Sequence, residues 1–102
     1  MQITYDTLLS DIKKPTDISH SGTTFTLAPT TEGGLEIFAR GKTEPVGKIT
    51  TDTPIGTIQR NGQRIATWSY VESKHSYCTM PTGKSPIGEN PIIYLLKELA
   101  KH

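Results

Sequence analysis

The residues with chemical potential in this chain sit mostly between positions 58 and 85. Pro81-Thr82-Gly83-Lys84-Ser85 ends in the Gly-Lys-Ser of a phosphate-binding loop. Such a loop needs a glycine five residues before Gly83, and that position is Cys78. It also needs a helix that starts at the lysine, so that the first backbone amides meet the phosphates. Here Pro86 follows Ser85 and the next helix signal comes only at Asn90-Pro91. The stretch therefore reads as a polar loop, with no nucleotide and no other cofactor.

His75 and Cys78 are the next candidates, for a metal or for a thiol nucleophile. Zinc takes four tetrahedral ligands, and the other histidines are His20, in a loop by pattern, and the terminal His102. On a strand, residues three apart point to opposite faces, so His75 would not activate Cys78. No metal is expected, and Cys78 reads as a small, half-buried hydrophobe. Glu32, Glu36, Glu44 and Glu72 fall on turns or strand ends and form no acid–base pair, and no Gly-x-Ser-x-Gly elbow is present. The chain is not expected to be an enzyme; a small enzyme with a site near residues 73–90 is the alternative of that class.

Arg60, Asn61, Arg64, Trp68, Tyr70 and Lys74 make the remaining constellation. Arg64, Trp68 and Tyr70 share a face of one expected strand, with Lys74 at its end. Basic residues beside aromatics on a sheet can hold a partner or stack on unpaired bases. The competing reading makes Trp68, the single tryptophan, the sheet's core anchor.

The elements that position these residues follow from pattern. Thr4 as N-cap, Tyr5, Leu8, Leu9 and Ile12 at i, i+3, i+4, i+7, and Lys13-Lys14-Pro15 at the end predict a helix over 4–14. Residues 15–22 read as a loop. Alternation then predicts strands near 23–28 and 35–40. Pro45-Val46-Gly47-Lys48-Ile49 is echoed nine residues later by Pro54-Ile55-Gly56-Thr57-Ile58, which marks two neighbouring strands opened by prolines, with glycines suited to a bulge or a close approach. Asn61-Gly62 predicts a type I′ turn joining strands near 54–60 and 63–72, with Arg60 opposite Gln63, Gln59 opposite Arg64 and Ile58 opposite Ile65. A further strand near 75–80 is compatible with the pattern. Asn90-Pro91 then opens a helix whose stripe is Ile92, Leu95, Leu96 and Leu99.

The expected fold is α+β: an antiparallel meander of five or six short strands, with an N-terminal and a C-terminal amphipathic helix on one face. All 102 residues fit one domain of the usual size, about 100–150 residues. Sixteen threonines suit the wet face of such a sheet. A net charge of +1 lacks the basic excess of a typical nucleic-acid binder. One cysteine permits no internal disulfide, and neither a leader nor a membrane-spanning stretch is evident, so a cytoplasmic setting is expected.

The functional expectation is a small non-enzymatic module that binds a larger protein, as an accessory regulator or inhibitor. Its hairpin tip (Arg60, Asn61, Arg64) projects into solvent, and Trp68, Tyr70 and Lys74 are further contact residues. A single-stranded nucleic-acid binder using the aromatic and basic face is the alternative, and the near-neutral charge speaks against it.

Overall fold

The structure is a computed structural model and describes residues 3–51 and 55–101. Seven strands follow one another in a single antiparallel meander: β1 (Thr16–His20), β2 (Thr23–Pro29), β3 (Leu35–Ala39), β4 (Gly47–Ile49), β5 (Gly56–Arg60), β6 (Gln63–Val71) and β7 (Ser76–Pro81). One α-helix, α1 (Pro91–Ala100), comes last. Seven strands laid flat would span about 29 Å, given spacings of about 4.8 Å, whereas a ten-residue helix is about 15 Å long. Yet α1 touches both outer strands, β1 and β7, as well as β4 and β5. The sheet is therefore curled into a half-barrel with α1 in its hollow.

The concave face carries the apolar alternation: Ile18, Phe25, Leu27, Leu35, Ile37, Ile49, Ile58, Ala66 and Tyr77 are buried with Ile92, Leu95 and Leu96 of α1. The echo glycines mark two close approaches on this face. A Cβ on Gly47 would lie 3.0 Å from Leu95 Cδ2 and 3.2 Å from Leu99 Cδ1. A Cβ on Gly56 would collide with the Trp68 indole, whose Nε1 donates to Thr50 O at 2.8 Å. Pro54, expected to open the second echo strand, and His102 lie outside the described residues.

The expected pair of helices and five or six strands is corrected to one α-helix and seven strands among the described residues. Residues 15–22 are not a loop: Thr16–His20 is a strand, turned back by Ser21 (φ 51°) and Gly22 (φ 78°) into β2. Ile18 is its one apolar residue, so no alternation betrayed it. Residues 4–14 are not a helix. They form a strap with a turn closed by Thr7 N–H to Thr4 O (3.1 Å) and a 3-10 turn at Leu9–Asp11, and several groups that a helix would pair are taken elsewhere. Leu8 N–H donates to Asp11 Oδ2 (2.9 Å), Thr4 N–H donates to Thr7 Oγ1 (2.9 Å), and Leu9 N–H donates to the Tyr77 hydroxyl (3.0 Å). The carbonyls of Tyr5 and Thr7 accept from Asn90 Nδ2 at 3.3 and 2.6 Å. Thr and Asp side chains compete for backbone groups in this way wherever a helix is marginal, and an eleven-residue helix is marginal by itself.

The strap packs against the core beside Tyr77 and Asn90, burying Leu9 and Ile12 and leaving Tyr5 and Leu8 exposed. Beneath it Tyr77 meets Trp68 and Tyr70 edge to face, at ring distances of 5.6 and 5.0 Å. Burial pushes the Tyr77 phenol above its ordinary pKa, against the opposing effect of the Leu9 N–H. Against the strap, α1 begins as expected. Asn90 is its fully buried N-cap, with Oδ1 accepting from Ile92 N–H at 2.8 Å, and Pro91 is its first residue. None of the described helices is long and apolar enough to cross a membrane.

Candidate functional site

The β5–β6 hairpin turns as its sequence demands. Asn61 and Gly62 have φ of 52° and 81°, and Arg60 pairs with Gln63. That is the left-handed geometry of a type I′ turn, which Asn-Gly adopts at least cost. Gln59 pairs with Arg64, also as expected, but Ile58 pairs with Ala66 rather than Ile65. An extra residue is inserted at that point, and the Ile65 carbonyl accepts from Thr82 N–H of the following loop at 3.0 Å.

This bulge decides which candidate residues meet. Residues paired across antiparallel strands share a face. Ile58 is buried on the concave face, so Ala66 and, by alternation, Trp68 and Tyr70 are concave as well. Gln59 and its partner Arg64 lie on the convex face. The expected joint face of Arg64, Trp68 and Tyr70 is therefore split between the two sides of the sheet. Trp68 is half-buried over Gly56, and the sheet uses it as a core anchor; Tyr70 is partly exposed at the rim.

Arg60 is also displaced from the role of a free tip residue. It is half-buried, and its Nη2 donates to the carbonyl of Lys101 at 3.0 Å. That carbonyl lies just past the end of α1, where unpaired carbonyls and the negative end of the helix dipole favour a cation. Lys74 is exposed in the short turn Glu72–Lys74, and His75, which ends it with φ of 50°, is exposed too. Cys78 is convex and half-buried, opposite Ser69. Residues 82–88 are exposed and fold back so that Ile87 bridges Thr79. Among the described residues, no three His, Cys, Asp or Glu side chains are grouped so as to hold a metal.

Asn61 and Gly62, together with the β3–β4 loop, border an open cleft of about 690 Å³. Lys42, Glu44, Lys48 and Gln59 line it as well. Asn61 N–H donates to Val46 O (2.9 Å), and Val46 N–H donates to Ile37 O (2.8 Å), so the tip and the loop are tied to each other and to β3. Lys48 stands between Glu36 on β3 and Gln59 on β5, and Gln59 in turn faces Arg64. A convex row Glu36–Lys48–Gln59–Arg64 thus leads across the cleft. Among the described residues, Lys42, Lys48 and Arg64 have no carboxylate at ion-pairing distance; the two ion pairs present, Lys97–Glu89 and Lys101–Glu98, both involve α1. The cleft wall carries two lysines against Glu44, and Arg64 is the cross-strand partner of Gln59 on that wall.

Lys42, Lys48 and Gln59 were not singled out by sequence as site residues, and Glu44 was weighed only for acid–base work. Lys42 and Glu44 come from a loop, and Lys48 reaches the tip only through the β4–β5 register, which no short turn announces.

By architecture the chain is an antiparallel half-barrel filled by its C-terminal helix, with a mixed-charge cleft beside one hairpin tip. No protein-family model matches it, and no curated protein and no solved structure matches it.

Proposed function

We propose that this chain is a small, non-enzymatic protein-binding module of the cell interior. In this reading it acts as an accessory regulator or inhibitor that occupies the surface of a larger protein. The observation that supports the reading is the cleft at the β5–β6 tip. Asn61, singled out from sequence, borders it, Lys42 and Lys48 line it, and among the described residues neither lysine has a carboxylate at ion-pairing distance. The complementary partner is an acidic protein segment, since unpaired surface cations steer and orient opposite charge. The cleft is open rather than enclosed, which suits a protein segment better than a small molecule, whose sites bury most of the ligand. Arg60 supports the module by tying the tip to α1 and is not itself a contact. The separation of Arg64 from Trp68 and Tyr70 removes the interleaved face on which a nucleic-acid reading would rest.

The test is affinity capture from the native host with the wild-type chain and with Lys42→Glu/Lys48→Glu, followed by binding measurements on the captured protein. The charge reversal is expected to weaken binding more than tenfold, while the carboxylate it sets opposite Glu36 costs about 1 kcal/mol of stability, too little to unfold the chain. A captured partner bound equally by both chains would remove the cleft from consideration. Tight binding to a single-stranded oligonucleotide with a steep salt dependence would replace the proposal with the nucleic-acid reading.

A further inference from the structure

The two edges of the half-barrel are finished differently. β7 is partly covered: Thr79 N–H donates to Ile87 O at 2.9 Å, and Ile87 N–H returns a bond to Thr79 O at 2.8 Å. β1 is not: among the described residues it pairs with β2 alone. Its free side borders a groove of about 480 Å³, lined by Ile3, Asp17, Ile18, His20, Ile93 and Leu96 among others. An uncovered strand edge is a template for another strand, and proteins usually blunt it with bulges, lysines or a covering loop. Within β1 there is no lysine and no bulge.

We propose that β1 pairs with β1 of a second copy of this chain, antiparallel about a two-fold axis at Ile18. The choice of a second copy rests on charge and face complementarity within Thr16–His20. Side chains on the concave side are Thr16, Ile18 and His20; Asp17 and Ser19 are convex, opposite Thr26 and Thr24 of β2. Antiparallel pairing centred on Ile18 engages all five residues of the strand. It sets Ile18 against Ile18, Thr16 against His20, and Asp17 against Ser19, a carboxylate against a hydroxyl. No like charges oppose one another. A register centred on Asp17 would set two aspartates face to face, and one centred on Ser19 would run out into the Ser21-Gly22 turn. Only even shifts keep concave residues with concave ones, so the Ile18 register is the one that the strand's own sequence selects. Such an interface is isologous and closes as a dimer. The surface differs from the cleft at the β5–β6 tip and stands independently of it.

Sedimentation velocity over a range of concentrations tests this on the intact chain. Wild type is expected to show a reversible monomer–dimer equilibrium. Ser19→Lys sets the introduced lysine against Asp17 of the second copy, twice per dimer, and should tighten association about three- to tenfold. Ser19→Asp sets carboxylates against each other and should weaken it by a similar factor, about three- to tenfold. Asp17→Ser combined with Ser19→Asp restores carboxylate against hydroxyl and should return the dissociation constant to near the wild-type value. Both positions are exposed, though Asp17 Oδ1 accepts from Thr26 Oγ1 at 2.7 Å and Ser19 Oγ lies 3.4 Å from Thr24 Oγ1, so thermal unfolding of each monomer should shift only slightly and serves as the control for folding. A chain that stays monomeric to about 1 mM, a concentration at which even weak complexes assemble, overturns the proposal. So does a dimer whose constant is the same in Ser19→Lys and Ser19→Asp.

Discussion

Residues 90–101 and residues 4–14 share one spacing of apolar side chains, and they adopt different backbones. In α1, Ile92, Leu95 and Leu96 are fully buried and Leu99 partly so. In the strap, Leu9 and Ile12 are buried, whereas Tyr5 and Leu8 remain 48% and 36% exposed. The difference lies in what holds the first turn. At α1, Asn90 caps, Pro91 removes a donor that would have had no partner, and the first helical bond, Tyr94 N–H to Asn90 O, is 2.9 Å. In the strap, the side chains of Thr7 and Asp11 accept from the N–H groups of Thr4 and Leu8, the distant Tyr77 hydroxyl accepts from Leu9 N–H, and the distant Asn90 amide donates to the Thr7 carbonyl. An apolar stripe thus states which residues can be buried together. Whether they are buried as a helix depends on where the backbone groups find partners.

The largest effect that can sharpen this contrast is at α1. Leu96 is 1% exposed in the hollow of the sheet. Leu96→Ala should destabilise the chain by about 2–5 kcal/mol, read as a lower midpoint in urea unfolding. An unchanged midpoint would mean that α1 is not docked, and the half-barrel would lose its filling.

Asn90 connects the two regions, so its replacement acts on both. Asn90→Ala removes the cap on Ile92 N–H and leaves the buried Thr7 carbonyl without its donor. Loss of a cap costs about 1 kcal/mol, and an orphaned buried acceptor adds about 1–3 kcal/mol. Hydrogen exchange should show amides of both the strap and the first turn of α1 losing protection. Loss confined to α1 would show that the strap keeps its place without Asn90, through Tyr77 and the buried Leu9 and Ile12.

How much could be read from residues follows the same division between local and distant partners. The Asn61-Gly62 turn, the Asn90-Pro91 helix start and the alternation of Phe25-Leu27 and Leu35-Ile37 were legible, because each is decided within a few neighbouring positions. β1 was hidden because Ile18 is its one apolar residue, and because the turn that reveals it, Ser21-Gly22, is a weaker signal than Asn-Gly. The strap was illegible because its partners are 68 and 83 positions away. At the candidate site, Asn61 and Arg64 were found in the exposed positions that the hairpin implied. The bulge that separates Arg64 from Trp68 was not foreseeable, since an inserted residue leaves no mark on a pattern that is apolar on both faces. Arg60 was misplaced for a related reason: its acceptor is a helix-end carbonyl 41 positions further on.

The smallest predicted effect discriminates best between the two backbones. If residues 4–14 were an amphipathic helix lying on the sheet, Leu8 would sit in the middle of its buried stripe. Leu8→Ala would then cost about 2–5 kcal/mol, like the equivalent change in α1. In the strap, Leu8 is exposed, and its backbone N–H is held by Asp11, whose carboxylate does not depend on the leucine side chain. Alanine at this position removes little contact and leaves that bond in place. Alanine is also the best helix former, so if the segment had any tendency to become a helix, the substitution would increase it. The expected shift is therefore within about 0.5 kcal/mol, with no gain of helical signal in the far-ultraviolet circular dichroism spectrum. A loss of several kcal/mol would place Leu8 in the core and restore the second helix; a near-neutral result alongside a severe Leu96→Ala would separate the two regions by experiment.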